Sequence, residues 1–342
     1  MKTLKNDILS IKVDRHGAEL WSIRDHSGRE FIWQADPAFW KRHAPVLFPI
    51  VGSLWEKKYR IDGKEYTLGQ HGFARDMDFH LISSDENTLW YELQSDAETL
   101  AKYPYAFTLR IGYKLNGNKI QVMWEVCNDD DKTMYFQIGA HPAFYYPDFN
   151  PDTEERGAFR LYKRGENGEM KPLESLKYLL ISEKGCADTE HVHELQTPDG
   201  RLPLKTTTFD RDAFIVDNQQ VSKVVLESCE GEPFVSLEFD TPALVDRHIV
   251  VKEMAAGKAD NLLLRDVAYA VETAHHVAPF LLVYEGVDKL ACAAVVALHL
   301  VIGLELHVVD DRRQQVVSEL ATLELGDLLP PTPPSWARRQ RT

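Results

Sequence analysis

Residues 70–75 read Gln-His-Gly-Phe-Ala-Arg, and residues 139–144 read Gly-Ala-His-Pro-Ala-Phe. Each stretch places one histidine beside small residues and an aromatic ring, within a region that is otherwise patterned as β-strand. Histidine is the side chain that gives or takes a proton near neutral pH without special tuning. His71 and His141 are far apart in the chain, so only a fold brings them together. If they share a cleft, the pair suits acid/base work or hydrogen bonding on a hydroxyl-rich ligand.

Short runs of alternating apolar and polar residues surround both stretches. Residues 9–13 and 108–113 repeat with a period of two, which is typical of half-buried strands. The dipeptides Asp62-Gly63 and Asn116-Gly117 separate such runs and predict tight hairpin turns. Because almost no segment has a helical period, the pattern predicts an all-β sandwich or barrel. Further strands are predicted at residues 120–126, 213–216, 223–227 and 234–239.

Composition excludes several classes of partner. The chain has 342 residues and a formal net charge of −14, which argues against binding to a nucleic-acid backbone. The four cysteines form no Cys-x-x-Cys pair, so a zinc or redox site lacks its spacing. No long apolar run follows the N-terminus, and the run at 290–304 is interrupted by His299 and short for a membrane span. We therefore expect a cytoplasmic protein without a membrane partner.

Several short motifs occur in a fixed order and together carry a resemblance. They are residues 17–20 (Gly-Ala-Glu-Leu), Ser22-Ile23, Trp33-Gln34 with Trp40, residues 44–52 (Ala-Pro-Val-Leu-Phe-Pro-Ile-Val-Gly), residues 63–66 (Gly-Lys-Glu-Tyr) and the two histidine motifs. From about residue 4 to about residue 242, the chain resembles the aldose 1-epimerase (galactose mutarotase-like) superfamily, specifically its LacX-like branch. The resemblance implies a large two-sheet β-sandwich, a galactose mutarotase-like supersandwich, with a sugar cleft on one face.

The resemblance also implies a chemistry, the interconversion of the α and β anomers of a free hexose or other aldose without metal or cofactor. In the family, the histidine of the His-Pro motif acts as the acid, and His141 matches it. The histidine of the His-Gly-Phe motif helps to hold the region of the ring oxygen, and His71 matches it. A sugar-binding aspartate should fall at Asp212, although Asp210 is close enough to compete.

Arg75 closes the first histidine motif, and two interpretations of it remain open. Its guanidinium could reach a sugar hydroxyl or an anionic sugar substituent, or it could form a surface salt bridge with Asp76 or Asp78. A pair of histidines, His191 and His193, raises the question of a metal site, because residues two apart on a strand share a face. No further ligands at suitable spacing are evident, so a polar loop is the favoured interpretation and we predict no metal.

The catalytic base of the family has no match in the sequence. Relatives carry it as a glutamate shortly after the segment that corresponds to residues 239–242. The nearest carboxylates here are Glu253, Glu272 and Glu285, and none has the expected neighbours. The sequence therefore leaves open whether the chain is an enzyme, a non-catalytic sugar-binding or sensing module, or a protein similar to hexose-6-phosphate mutarotases. It also leaves the oligomeric state open.

Beyond residue 243 the composition changes, since aromatic residues thin out while alanine, valine, leucine and histidine dominate. We predict a β-sandwich domain over 1–243 and an unmatched tail over 244–342, which is either a different reading frame joined to the body or a diverged ending. The tail is predicted to be irregular or mixed, with a strand at 299–306, a short helix over 311–325 and low order over 327–342. It is expected not to supply the closing strands of the sandwich.

Overall fold

The computed structural model describes most of the chain. The described residues are 1–145, 153–180, 187–211, 213–216, 219–239, 247–254, 297–309 and 315–325.

Strands make up nearly all of the regular structure in these ranges. The strands are β1 Lys2–Lys5, β2 Leu9–Val13, β3 Leu20–Asp25, β4 Val46–Leu47, β5 Lys58–Ile61, β6 Lys64–Thr67, β7 His80–Ser84, β8 Thr88–Gln94, β9 Phe107–Asn116, β10 Lys119–Asn128, β11 Met134–Ala140, β12 Ala143–Tyr145, β13 Glu155–Arg164, β14 Met170–Pro172, β15 Ser175–Tyr178, β16 His193–Gln196, β17 Arg201–Lys205, β18 Phe214–Val216, β19 Lys223–Glu227, β20 Pro233–Glu238, β21 Arg247–Met254, β22 Ala297–Val309 and β23 Gln315–Leu325. A six-residue helix, α1 Ala97–Lys102, and three short 3₁₀ turns complete the described structure. The all-β prediction is confirmed.

Two large antiparallel sheets organise the described strands. The first runs in the order β14-β13-β19-β20-β23-β10-β9-β8-β7, with β17 added beside β13. The second runs β18-β21-β22-β11-β4, with β12 also paired to β22. A three-stranded sheet, β1-β2-β3, and the hairpins β5-β6 and β15-β16 lie outside these two sheets. Among the described residues, no helix is long and apolar enough to cross a membrane.

The hairpin of β9 and β10 shows how the sequence builds the first sheet. Asn116 pairs with Lys119 across a two-residue turn, and Gly117 takes the left-handed φ of 60° that such a turn requires. The predicted turn at Asp62-Gly63 likewise joins β5 to β6. Alternate residues of β9 and its neighbours are buried and fill one continuous core. Both hairpins predicted from the sequence are therefore confirmed.

Two tyrosine hydroxyls tie the N-terminal sheet to the first large sheet. The buried Tyr113 of β9 donates a hydrogen bond of 2.7 Å to the carbonyl oxygen of Ala18. Tyr91 of β8 donates a longer one, of 3.4 Å, to the carbonyl oxygen of Val13. Because burial raises the pKa of the Tyr91 phenol to about 12, this hydroxyl keeps its proton at neutral pH. Residues 13–18 are thus held at a fixed place above the core.

The segment beyond residue 243 differs from the prediction. The strand expected at 299–306 is confirmed, because it lies within β22. The helix expected over 311–325 is wrong, because residues 315–325 form β23. The apolar residues of that stretch fit a helical period, but β23 lies between β10 and β20 and finds backbone partners on both sides. Pairing with neighbouring strands outweighs a weak local preference.

The tail was also expected not to supply the closing strands of the sandwich, and the backbone shows otherwise. Strand β22 pairs with both β11 and β21, and β23 joins β10 to β20. Residues 310–314 and 327–342 lie outside the described residues. The low order predicted for 327–342 therefore stays a prediction.

A truncated chain tests the contribution of these strands. We expect a protein ending at residue 243 to self-associate, because it would leave β10, β11 and β20 with unpaired backbone edges. Size-exclusion chromatography of the truncated and full-length chains, at matched concentrations, measures this. A truncated chain that is folded and elutes at the size of a monomer would show that the strands beyond 243 are dispensable.

Candidate functional site

His71 is presented by a turn of unusual backbone. His71 and Gly72 both have left-handed φ angles, of 63° and 70°. The His71 amide donates a 2.6 Å hydrogen bond to the carbonyl of Gly52, and the Phe73 amide donates one of 3.0 Å to the carbonyl of Phe48. A Cβ atom at Gly72 would lie 2.2 Å from the Phe48 carbonyl oxygen. Glycine is therefore needed here both for its conformation and for the close approach of the backbone.

The imidazole of His71 has a defined orientation and charge. The Gly52 amide donates to its Nδ1 atom at 3.0 Å, so in the neutral ring the proton is on Nε2. Burial, followed by the nearby charges of Arg75, His141 and Arg42, lowers the pKa of His71 well below its usual value. The ring is therefore neutral at pH 7, with a donor on the side that faces away from Gly52.

His141 lies between two strands of the second sheet. Strand β11 ends at Ala140 and β12 begins at Ala143, so His141 and Pro142 form the short connection between them. The His141 amide donates a 3.0 Å hydrogen bond to the carbonyl oxygen of Pro45. The Trp40 ring and the imidazole pack in a T-shaped arrangement, with 4.8 Å between ring centroids and planes at 76°. Backbone and aromatic contacts together fix the ring.

The structure brings the two histidines together, as the sequence predicted. Their ring centroids are 6.0 Å apart and the ring planes differ by 32°. Both residues depend on the same segment, because His71 bonds to Gly52 while His141 bonds to Pro45. Both residues are buried, since His71 is 4% exposed and His141 is 3% exposed. The open cleft expected around them stays a prediction.

Arg75 lies close to His71, in a small charged cluster. Its Nη2 atom donates a 2.8 Å hydrogen bond to the carbonyl of Gln70, and its Nε atom lies 3.7 Å from a carboxylate oxygen of Asp76. The other oxygen of Asp76 accepts a 2.7 Å bond from Arg42. Of the two interpretations left open for Arg75, the contact with Asp76 is present. Asp78 pairs elsewhere, with Arg15.

The other predicted site residues lie partly outside the described residues. Asp212 lies outside the described residues, and its competitor Asp210 is exposed in a turn. Of the three carboxylates weighed as a base, Glu272 and Glu285 also lie outside the described residues. The backbone of Glu253 is in β21, opposite Leu298 of β22, and Leu298 also pairs with Phe144 of β12. This register places Glu253 in the same sheet as the strands that flank His141.

The pair His191 and His193 is engaged by protein groups. The exposed ring of His191 lies 2.9 Å from a carboxylate oxygen of Asp188. The ring of His193 stacks on Tyr178, with centroids 5.3 Å apart. Among the described residues, no group of three or more metal-ligating side chains comes together.

Some residues near the site were not singled out from the sequence. Gln137 of β11 accepts a 2.9 Å hydrogen bond from the Val51 amide, which fixes the segment that supports His71. Ser53 has a buried hydroxyl with no hydrogen-bond partner in the described part of the chain, so it is a candidate partner for a ligand or a water. Glu19 was noted only within the motif at 17–20, and its burial could not be read from that motif. No local signal identifies these roles, because each depends on contacts between distant segments.

An open cavity of about 460 Å³ borders the outer side of the turn that carries His71. Gly69, Gly72, Phe73 and Asp76 contribute to its wall, together with residues of α1, and neither histidine does. A ligand in this cavity would contact the turn without meeting the imidazoles.

The family model for aldose 1-epimerase matches residues 1–237 of the chain. The chain belongs to the aldose 1-epimerase family. Within it, the chain is 34% identical over 245 residues to the chromosomal LacX protein of Lactococcus lactis subsp. lactis, covering 69% of this chain and 79% of that protein. The plasmid-borne LacX of the same organism matches equally. The resemblance to the LacX-like branch, which rested on the order of short motifs, is confirmed.

Solved structures support the fold of this aldose 1-epimerase family member. A galactose mutarotase related enzyme of Lactobacillus acidophilus has a TM-score of 0.71 at 24% identity, covering 95% of this chain and 96% of that one. A galactose mutarotase-like protein of Lactobacillus casei has a TM-score of 0.68, also at 24% identity, covering 95% of this chain and 99% of that one. The predicted galactose mutarotase-like sandwich is therefore confirmed, and the similarity of fold extends beyond residue 237.

The turn at His71 can be tested with glycine substitutions. We expect Gly117→Ala to lower the free energy of unfolding by about 1–2 kcal/mol, the cost of a left-handed alanine. Gly72→Ala should cost clearly more, because its φ is similar but a Cβ atom there would overlap the Phe48 carbonyl, whereas the surroundings of Gly117 are open. Urea unfolding of both variants gives the comparison. Equal losses would contradict the close approach seen at Gly72.

The state of the His71 ring can be tested by NMR. Because its folded pKa lies below the usual value of about 6.5, the ring should stay neutral as the pH falls from 8 to 6. Its long-range ¹⁵N couplings should report a proton on Nε2 and none on Nδ1. A His71 ring signal that changes to that of a protonated imidazole over this pH range would contradict the buried, Gly52-bonded geometry.

Proposed function

We propose that this protein is an aldose 1-epimerase that interconverts the α and β anomers of a free hexose or related aldose. The observation that carries the proposal is the pair of buried imidazoles with centroids 6.0 Å apart, one of which is fixed as a neutral donor. Membership of the family supports it. The function requires an acid and a base near one sugar.

The proposed reaction moves two protons and breaks one bond. A base removes the proton of the anomeric hydroxyl while an acid protonates the ring oxygen, and the bond from the anomeric carbon to the ring oxygen breaks. The open-chain aldehyde rotates about the adjacent carbon–carbon bond, and the steps then reverse. We assign the acid to His141 and a hydrogen bond near the ring oxygen to the Nε2–H of His71. Asp212 remains the proposed partner of sugar hydroxyls.

The base is assigned to none of the buried carboxylates among the described residues, because each of them is already engaged. Glu227 pairs with Arg160, and Glu125 lies 2.5 Å from a guanidinium nitrogen of Arg110. Glu19 accepts hydrogen bonds from two backbone amides. Glutamine variants of Glu253, Glu272 and Glu285 each test one of the remaining candidates.

Replacing His141 tests the acid. We expect His141→Ala to reduce the anomerisation rate of freshly dissolved α-glucose or α-galactose by about 10²–10⁴-fold. The fold should persist, because the bond from residue 141 to Pro45 comes from the backbone. Polarimetry measures the rate, His80→Ala is the matched control, and a chelator should change nothing.

Three outcomes would revise the proposal. An unchanged rate in His141→Ala would make His141 structural. A protein that binds sugar without speeding anomerisation would be a binding or sensing module. Loss of activity with chelator would favour a metal-dependent enzyme.

A second candidate function is mutarotation of an anionic sugar, such as a hexose phosphate or a hexuronate. The observation that favours it is that Arg42 and Arg75 share the single carboxylate of Asp76, and both lower the pKa of His71. Two guanidiniums therefore lie near His71 in a chain with a net charge of −14. A guanidinium is well suited to bind a phosphate or carboxylate.

Substitution of Arg42 distinguishes a neutral sugar substrate from an anionic one. If the substrate is anionic, Arg42→Gln should raise KM for glucose 6-phosphate about tenfold, the effect of one charge-assisted hydrogen bond. It should leave KM for glucose unchanged. Arg60→Gln, which removes an exposed guanidinium paired with Glu65, is the control. Equal KM values for the charged sugar in both variants would exclude a role for Arg42 in recognising an anion.

A further inference from the structure

The motif at residues 17–20 contacts the segments of both histidines. The Gly17 amide donates a 2.8 Å hydrogen bond to the carbonyl of Met77, and a Cβ atom at Gly17 would lie 2.8 Å from the carbonyl oxygen of Arg75. Two residues later, the side chain of Glu19 reaches the other segment. The backbone between them is held by the bond from Tyr113 to the carbonyl of Ala18. A short, well-anchored stretch therefore contacts both sides of the candidate site.

The carboxylate of Glu19 clamps the backbone that precedes β4. Its Oε1 atom accepts a 2.8 Å hydrogen bond from the His43 amide and a 2.9 Å bond from the Ala44 amide. Glu19 is 5% exposed. Burial raises the pKa of its carboxyl group, and the two amide bonds oppose that rise. The side chain therefore has a specific function as an acceptor, since a carboxylate rarely lies in the interior without partners.

The clamped backbone is the same one that holds His141. The carbonyl of His43 accepts a 2.9 Å hydrogen bond from the Ala143 amide, and the carbonyl of Pro45 accepts one of 3.0 Å from the His141 amide. The amides of residues 43 and 44 thus bond to Glu19, while the carbonyls of residues 43 and 45 bond to the connection that carries the imidazole. The ring of His43 stacks on Trp21 at 4.3 Å, which removes further freedom from this segment.

We propose that Glu19 is a positioning residue for His141, acting through the backbone of residues 43–45. This role rests on the proposed function, because it matters for the rate only if His141 transfers a proton. In this proposal Glu19 acts on the backbone and is not the base. Glu19 would keep the His141 imidazole in the position that proton transfer requires. A displacement of the catalytic group by about 1 Å lowers the rate about 100-fold.

Two substitutions distinguish an acceptor from a charge. Glu19→Gln keeps an oxygen at the Oε1 position and loses the charge. Glu19→Asp keeps the charge and withdraws the oxygen by one methylene. A positioning role predicts that Glu19→Asp lowers kcat about 10- to 100-fold with little change in KM, whereas Glu19→Gln stays close to wild type. The reverse order would show that the charge near Arg42 matters and would overturn the proposal.

Amide hydrogen exchange gives a readout that does not depend on catalysis. Glu19→Asp should speed exchange at the amides of His141 and Ala143 relative to core amides of β9, and should shift the ¹⁵N signals of the His141 ring. Glu227→Asp is the matched control. Glu227 is a similarly buried carboxylate in β19 of the first large sheet, and it is bonded to Arg160. It should leave both readouts at wild-type values.

The readouts also separate this proposal from the proposed function. If the wild-type protein does not speed anomerisation, the proposed function fails, and the exchange and NMR comparison still decides the role of Glu19. If the wild-type protein is active but Glu19→Asp leaves exchange at residues 141 and 143 unchanged, the positioning role is wrong. If Glu19→Asp does not fold, Glu19→Gln decides: faster exchange at residues 141 and 143 would overturn the proposal.

Discussion

The candidate site depends on the hydrogen bonds that surround residues 43–52. Backbone carbonyls of this segment accept the amides of His71, Phe73, His141 and Ala143. From the other side, Gln137 holds the Val51 amide and Glu19 holds the amides of residues 43 and 44. Neither histidine lies in a strand, and neither is placed by its local backbone alone. Their separation follows from a third segment that both of them contact, and this explains why two motifs so distant in the chain meet.

Desolvation then determines the chemistry available at this place. Burial and two nearby guanidiniums keep the imidazole of His71 neutral. His71 can therefore donate a hydrogen bond but does not carry a positive charge. Burial also lowers the pKa of His43, which limits the number of positive charges in the interior. The side chains of Arg42 and Arg75, beside Asp76, are more exposed than the two histidines.

The sequence predicted what depends on local pattern. Alternation of apolar residues identified several of the strands, and the dipeptides Asp62-Gly63 and Asn116-Gly117 identified two hairpins, in which Asp62, Gly63 and Gly117 take left-handed backbone. The prediction failed where partners are remote. Residues 315–325 fit a helical period, yet strands on either side complete their backbone hydrogen bonds. Glu19 and Arg42 carried no local signal, because their importance comes from contacts with residues that are distant in the chain. Asp212 stays a prediction, as does the division of the chain at residue 243.

The conformation of His71 constrains how its chemistry can be dissected. Successive residues at 71 and 72 with positive φ form a reverse bend that most side chains resist, and among non-glycine residues asparagine enters it most readily. A substitution such as valine or leucine would therefore alter the path of the chain together with the loss of the imidazole, and its phenotype would mix the two. Asparagine removes the imidazole and is compatible with the left-handed backbone at residue 71. Its amide group extends about as far from the backbone as the Nδ1 atom of histidine. At this position the geometry of the main chain decides which mutant is informative.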